Sequence, residues 1–292
     1  MREEASDREK DGDAAGAEHY RWQAEALLDG ADSLKEQIRQ AGNAAGRMEL
    51  RRMEDTMLWT AQNLMGTYHS LEAEQAAASA RAKAQKHLSE KVKDQEMLGS
   101  STSYHSQEAY QKWQSALNEY ERLKKEQERV RQELLLLTGF SPDSPVVLEK
   151  MPLPDVSRAA LVNPQEDRQQ ALGNNYELRS GRMGNAGSNQ ELHKKQRQTE
   201  LDENQMFASL ETLGDQIRSR QAEWEAACAK EQAQRAVWQS AVRKREQGTM
   251  AEGEYLEIYS QYMEEKGNQA QASIRFLLAM EEYDWAKKGL MD

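Results

Sequence analysis

Proline is almost missing from this chain. All five prolines fall between Pro142 and Pro164, so long stretches on either side contain nothing that forbids a helix. Bulky hydrophobic residues are also few: three phenylalanines, 7% aromatics and 38% hydrophobic residues over 292 positions, with little valine or isoleucine. That composition cannot fill a large globular core. The single cysteine, Cys228, excludes an internal disulfide. No apolar run approaches the roughly 18 residues of a membrane helix. Met1–Asp13 is charged and lacks the apolar centre of a secretory signal. Basic residues are outnumbered, 39 against 50 acidic, for a net charge of −11. With a pI near 5.2, this balance argues against a nucleic-acid partner and against a basic face laid on a membrane.

The motifs of catalysis are missing as well. There is no glycine-rich phosphate loop, nucleophile elbow or HExxH helix. His19, His69, His87, His105 and His193 are scattered, no two at a metal-ligand spacing. Cys228 sits among alanines and reads as a small packing residue. The expectation is a protein that is not an enzyme, with no catalytic residue, cofactor or metal.

What remains is helix-forming sequence: Ala, Gln, Glu, Lys, Arg, Leu and Met, with a mean hydropathy of −0.97. From Glu191 to Gln247 there is no proline and one glycine, Gly214. Leu210, Leu213, Ile217, Trp224, Ala227, Val237 or Trp238, and Ala241 recur at helical spacing there. After a turn at Gly248-Thr249, a second stripe carries Tyr255, Ile258, Tyr262, Ala270, Ile274, Leu277, Met280 and Tyr283. Thr249 with Glu252 three residues on predicts a capping box at the start of the return helix. Aromatic residues on these stripes read as seam packing rather than as a ligand groove.

The hairpin occurs twice. Sliding Gly99 onto Gly248 without gaps sets Leu64 on Leu213, Ser70 on Ser219, Ala73-Glu74 on Ala222-Glu223, and Ala84-Gln85 on Ala233-Gln234. In the first half, the outgoing arm runs from Met48 to about Leu98 with Leu50, Met53, Met57, Leu64, Tyr68 and Leu71 on its seam. The return arm to Thr138 puts Tyr110, Trp113, Leu117, Tyr120, Leu123, Val130, Leu134 and Leu137 on one face. The return arms close near Gly139 and Gly289. The predicted plan is all-α: two tandem long antiparallel hairpins with coiled-coil-like seams, an internal duplication without a β-barrel. Residues 1–16 read as disordered. Residues 17–139 form the first repeat, opening with a helix over 17–41 (Tyr20, Trp22, Leu27, Leu28, Leu34, Ile38) and a glycine break at 42–46, with its tip at 99–102. Residues 140–163 form a stiff, extended Pro-rich linker in which Val146-Val147-Leu148 suggests a short strand. Residues 164–292 form the second repeat, with its tip at 248–251. There Asn163-Pro164 predicts a helix start, Asn as cap and Pro at the first position; this helix runs to about Arg179, before a glycine break at 180–189.

These features together resemble the TolC-type outer-membrane efflux proteins. Gly248-Thr249-Met250-Ala251 is similar to the family's tip turn, as is Gly99-Ser100-Ser101-Thr102. Tyr283, Ala286 and Gly289-Leu290 are similar to its repeat ending. Leu137-Thr138-Gly139, Pro152-Leu153-Pro154-Asp155 and Asn163-Pro164 are similar to its inter-repeat crossover. The resemblance spans roughly residues 20–290. It implies helices that line an efflux or secretion duct, self-association into a trimer, and an extracytoplasmic place in the cell envelope. An adaptor protein would dock at the tips, through Gly99, Ser100, Thr102, Gly248, Thr249 and Ala251. Two departures stand out. The glycine breaks 42–46 and 181–189 are too short for membrane strands of about 9–11 residues each, and the visible start carries no export signal, which leaves the cytoplasm open. The chain thus resembles a barrel-less or truncated member. The competing reading is an intracellular coiled-coil scaffold or tether. A scaffold keeps one strict apolar stripe, whereas tunnel staves need small residues on two flanks; the runs Ala76-Ala77-Ala78 and Ala226-Ala227 favour staves.

Overall fold

The computed structural model of the protein describes residues 44–183 and 187–291. The expectations for 1–16, 17–41 and 42–43, and for 184–186 of the second glycine break, lie outside the described residues. Among the described residues seven α-helices follow in order: α1 Ala44–Met97, α2 Ser103–Leu137, α3 Val156–Ala160, α4 Pro164–Asn174, α5 Tyr176–Met183, α6 Asn189–Glu246 and α7 Glu252–Lys288. There is no strand among the described residues. The longest, α6, has 58 residues and measures about 87 Å at 1.5 Å per residue.

Each long helix ends in the same way. Gly99, Gly139, Gly248 and Gly289 all have positive φ (75°, 81°, 69° and 115°). At each, the glycine N–H donates three residues back and the next N–H five residues back, as in Gly99 to Glu96 and Ser100 to Gln95 (2.9 and 2.8 Å), or Gly248 to Arg245 and Thr249 to Lys244 (both 2.9 Å). This double bond satisfies carbonyls that the helix leaves free and requires a residue that tolerates a left-handed backbone.

The long helices lie side by side in the order α2, α1, α7, α6. The two hairpins therefore meet through α1 and α7, and α2 and α6 are the free edges of an open layer. The inner helix α1 has neighbours on both sides, and its sequence meets that demand with alanine. Ala78, Ala80, Ala82 and Ala84 are all buried; residues two apart point about 200° away from each other on a helix, so 78/82 and 80/84 serve opposite faces. A glycine on each helix, Gly66 on α1 and Gly267 on α7, leaves room for the other. A Cβ on Gly66 would lie 2.7 Å from Leu278 Cδ1, and one on Gly267 would lie 3.3 Å from the Ala73 carbonyl oxygen.

The larger core is at the base of the second hairpin. Leu210 and Ile217 of α6 meet Phe276, Met280 and Tyr283 of α7 under Ala171 of α4 and Leu178 of α5. Asn163 caps α4 as predicted, its Oδ1 accepting from the Gln165 N–H, with Pro164 at the first turn. The helix does not continue to Arg179, however. It breaks at Asn175, which is fully buried. The Asn175 Oδ1 accepts from the N–H groups of Glu177 and Leu178 (both 2.9 Å), and its Nδ2 donates to the Met291 carbonyl (3.2 Å). Asn174 Nδ2 donates to the Lys287 carbonyl (2.9 Å), so the corner between α4 and α5 is stitched to the end of α7. Two phenols reinforce it: Tyr283 donates to Asp167 (2.8 Å) and Tyr176 to Asp55 (2.7 Å). Burial, then the Asp55 hydrogen bond, pushes the Tyr176 phenol up to about 12; burial and Asp167 raise Tyr283 in the same direction.

Other sequence expectations need correction. Ala44, Ala45 and Gly46 are helical and belong to the first arm, not to a break. The second break is shorter too, since α5 continues to Met183. The linker contains the helical turn α3, capped by Asp155, and Val146–Leu148 form no strand. On α2, Tyr110 is exposed and the neighbouring Ala109 is buried; on α1, Met57 is exposed; on α6, Trp238 takes the seam, stacked on Tyr262 at 4.6 Å, and Val237 faces out. The proline-rich strap is held by side chains. Arg131 donates to the carbonyls of Pro142, Ser144 and Val146 (3.4, 2.6 and 3.2 Å), and the buried His69 donates through Nε2 to the Glu149 carbonyl (2.8 Å).

Candidate partner interface at the hairpin tips and the layer edge

The first tip is a reversal built from local hydrogen bonds. After the Gly99 turn, Ser100 Oγ donates to the Gln95 carbonyl (3.0 Å). Thr102 is the N-cap of α2, with φ −99° and ψ 155°, and its Oγ1 accepts from the His105 N–H at 3.4 Å. Nothing covers the hydrophobic residues around it: Met97, Leu98 and Tyr104 are 72%, 83% and 71% exposed. On the flank, Lys112 pairs with Glu108 at 2.8 Å; that hydrogen bond and charge hold the Glu108 carboxyl below its usual range.

The second tip differs in detail. The capping box does not form. Thr249 occupies the place of Ser100, and its Oγ1 donates back to the Lys244 carbonyl (3.0 Å); it is tied to the helix behind it, not to the one ahead. The N-cap of α7 is Ala251, which has no side chain to offer. Glu252 instead crosses the turn to Arg245 (2.8 Å), whose guanidinium lies 4.2 Å over the Tyr255 ring. Tyr255 stacks on Tyr259, and Tyr259 lies against Trp238. Met250 is half-buried.

The two tips are not level. Gly253, near the start of α7, packs beside His87 of α1. From His87 the helix α1 continues to Met97, whereas α7 begins one residue before Gly253, at Glu252. At 1.5 Å per residue the first tip projects about 14 Å beyond the second. The six tip residues singled out in the sequence thus divide into two separate groups. Gly99, Ser100 and Thr102 stand at the summit beside uncovered hydrophobic side chains; Gly248, Thr249 and Ala251 lie lower, beside a braced aromatic ladder.

Viewed from the edge, α6 has a second feature that the run Ala226-Ala227 only hints at. Ala222, Ala226, Ala229, Ala233 and Ala236 are all exposed. Their alternating spacing of four and three is that of a coiled-coil seam. They form a smooth ridge on the helix face turned away from α7. In the first half, Ala76 is exposed but Ala78 is buried against the neighbouring helices.

An open layer of two long hairpins, bound at the base by a crossover strap and short helices, matches solved structures of a particular kind. Its fold is similar to that of outer-membrane channel proteins. CusC, whose conformational changes accompany folding and transmembrane channel formation, aligns with a TM-score of 0.58 at 13% identity, over 92% of this chain and 89% of that one. The outer membrane protein VceC from Vibrio cholerae gives 0.54 at 13%, over 84% and 73%. The outer-membrane channel OprN gives 0.51 at 14%, over 84% and 68%. No protein-family model matches the chain, and no curated protein matches it. None of the described helices is long and apolar enough to cross a membrane. Among the described residues, no three His, Cys, Asp or Glu side chains are arranged to hold a metal ion.

Proposed function

We propose that this chain is a stave of a TolC-like efflux or secretion duct in the cell envelope. Copies associate edge to edge, a ring of three if the assembly follows the family it resembles, and an adaptor protein docks at the hairpin tips. The observation that carries the reading is the exposed alanine ridge Ala222–Ala236 on the free helix of an open layer. A ridge of methyl groups lets a second helix approach closely, and an open layer with two edges joins to its copies by rotation into a closed ring. A tether with one apolar stripe has no need of such a ridge on its outer face. At the tips, Met97, Leu98 and Tyr104 supply the hydrophobic anchor and the 99–102 turn its shape; Gly248, Thr249 and Ala251 provide a lower, secondary contact.

Sedimentation of the full chain tests the assembly. The chain is expected to form an oligomer that A226R/A233R dissociates without loss of helix; a strict monomer at high concentration overturns the reading. Tip docking has its own test, L98E/Y104E combined with T249R. If these variants leave capture of an envelope adaptor intact, docking at the tips is wrong.

A further inference from the structure

The proline-rich strap lies across the meeting of α1 and α7, where Lys150, Met151 and Pro152 wall two clefts at once, of about 390 and 790 Å³. Its two halves are held differently. Arg131 takes the carbonyls of Pro142, Ser144 and Val146. Among the described residues, the one hydrogen bond that reaches the backbone of residues 147–154 comes from His69 of α1, through Nε2 to the Glu149 carbonyl (2.8 Å).

The other nitrogen of that ring is also committed. Nδ1 lies 2.9 Å from Glu72 Oε2, about one turn further along α1. A carbonyl and a carboxylate only accept, and a neutral imidazole carries a single N–H. Both contacts are therefore hydrogen bonds when His69 is an imidazolium, whereas in the neutral ring one of them sets a lone pair against a lone pair. The carboxylate is the stronger acceptor, so the remaining proton stays on Nδ1 and the Glu149 carbonyl loses its donor. With His69 8% exposed, little water reaches the ring to replace it.

Glu72 is the charge in contact with the imidazole. On the strap, the adjacent Glu149 and Lys150 carry opposite signs. From α7, Lys266 stands on the wall of the smaller cleft, which His69 also lines. From α2, Arg131 and Glu128 are paired at 3.5 Å and act on Tyr68, whose ring stands edge-on to the imidazole with centroids 5.1 Å apart.

We propose that His69 is a pH-sensitive latch on the strap. Charged, it fastens residues 147–154 over the meeting of α1 and α7; neutral, it lets this half of the strap lift and opens both clefts. Histidine changes charge between about pH 5 and 8, so the latch closes toward the acid end of that range and releases toward the alkaline end. Proteinase K digestion of the full chain tests it, each rate divided by that of a free peptide of residues 145–156 at the same pH. After this correction, cleavage within 147–154 is expected to be at least fivefold faster at pH 8.0 than at pH 5.5, with cleavage in the long helices unchanged. H69Q carries no titrating ring and should give the same corrected rate at both pH values. E72Q removes the charge that holds the Nδ1 proton and should move the release to lower pH by at least half a unit; it decides the matter should H69Q fail to fold by circular dichroism. Equal corrected rates at the two pH values in the unaltered chain, a pH dependence that survives in H69Q, or an unshifted profile in E72Q overturns the proposal.

Discussion

Of the four glycines that end the long helices, Gly289 is the one whose replacement costs most, for a reason visible in its surroundings. At Gly99, Gly139 and Gly248 the backbone is left-handed and an added Cβ meets nothing within 4 Å. Alanine there costs only the conformational preference, about 1–2 kcal/mol, partly offset by the reduced freedom of the unfolded chain. At Gly289, φ is 115°, well beyond the left-handed minimum, a strain on the order of 1–3 kcal/mol. The new Cβ would also lie 2.4 Å from the Asn174 carbonyl oxygen and 2.9 Å from its carbon. That carbonyl cannot yield easily. It belongs to the α4–α5 corner, which the buried Asn175 side chain pins, and the Tyr176 N–H donates to Gly289 itself (3.3 Å). G289A is therefore expected to lose about 3 kcal/mol or more, against roughly 1 kcal/mol for each of G99A, G139A and G248A. Urea unfolding followed by circular dichroism measures all four. If G289A loses no more than G248A, the close packing at the base is wrong.

Three further outcomes follow from the same base and strap. Tyr283 is 1% exposed, and Asp167, its hydroxyl's acceptor, is also paired with Lys287 (2.8 Å); Y283F should cost about 1 kcal/mol and Y283A about 3–5 kcal/mol, and equal losses on urea unfolding would contradict a mainly apolar role for the ring. The Tyr176 phenol, near 10 when unfolded, is raised to about 12 in the fold, so its contribution is complete below pH 10 and disappears as pH rises toward 12; Y176F should flatten the alkaline fall in Tm, and an unchanged slope refutes the linkage. R131Q frees the carbonyls of Pro142, Ser144 and Val146, and limited proteolysis should then cut within residues 142–149 while the helical content holds; an unchanged digest shows that Arg131 does not anchor the strap.

The long helices and their glycine ends were legible because each rests on local chemistry: uninterrupted helix formers, a positive φ that selects Gly, and Asn163 before Pro164. The break at Asn175 was not. Asn174-Asn175 reads as an ordinary polar pair until the Met291 carbonyl, over a hundred residues away in sequence, makes it a buried corner. The cap at the second tip was misread for a similar reason. Thr249 has two helices within reach, and the glycine turn directs its hydroxyl backwards. Alanine was the hardest to interpret. Ala78–Ala84 and Ala222–Ala236 share a composition, yet the first group is buried between two helices and the second faces outward. Only the order α2, α1, α7, α6 separates inner from outer positions.

That order also sets a schedule. The α1 face that receives α7 is complete when Met97 has been made, but its partner does not begin until Glu252. At roughly 5–20 residues per second on the ribosome, the first hairpin waits on the order of 10–30 s with its alanine and glycine flank uncovered. Until Glu252–Lys288 has been made and packed, that flank of α1 has no covering helix, and the first hairpin alone is an incomplete layer.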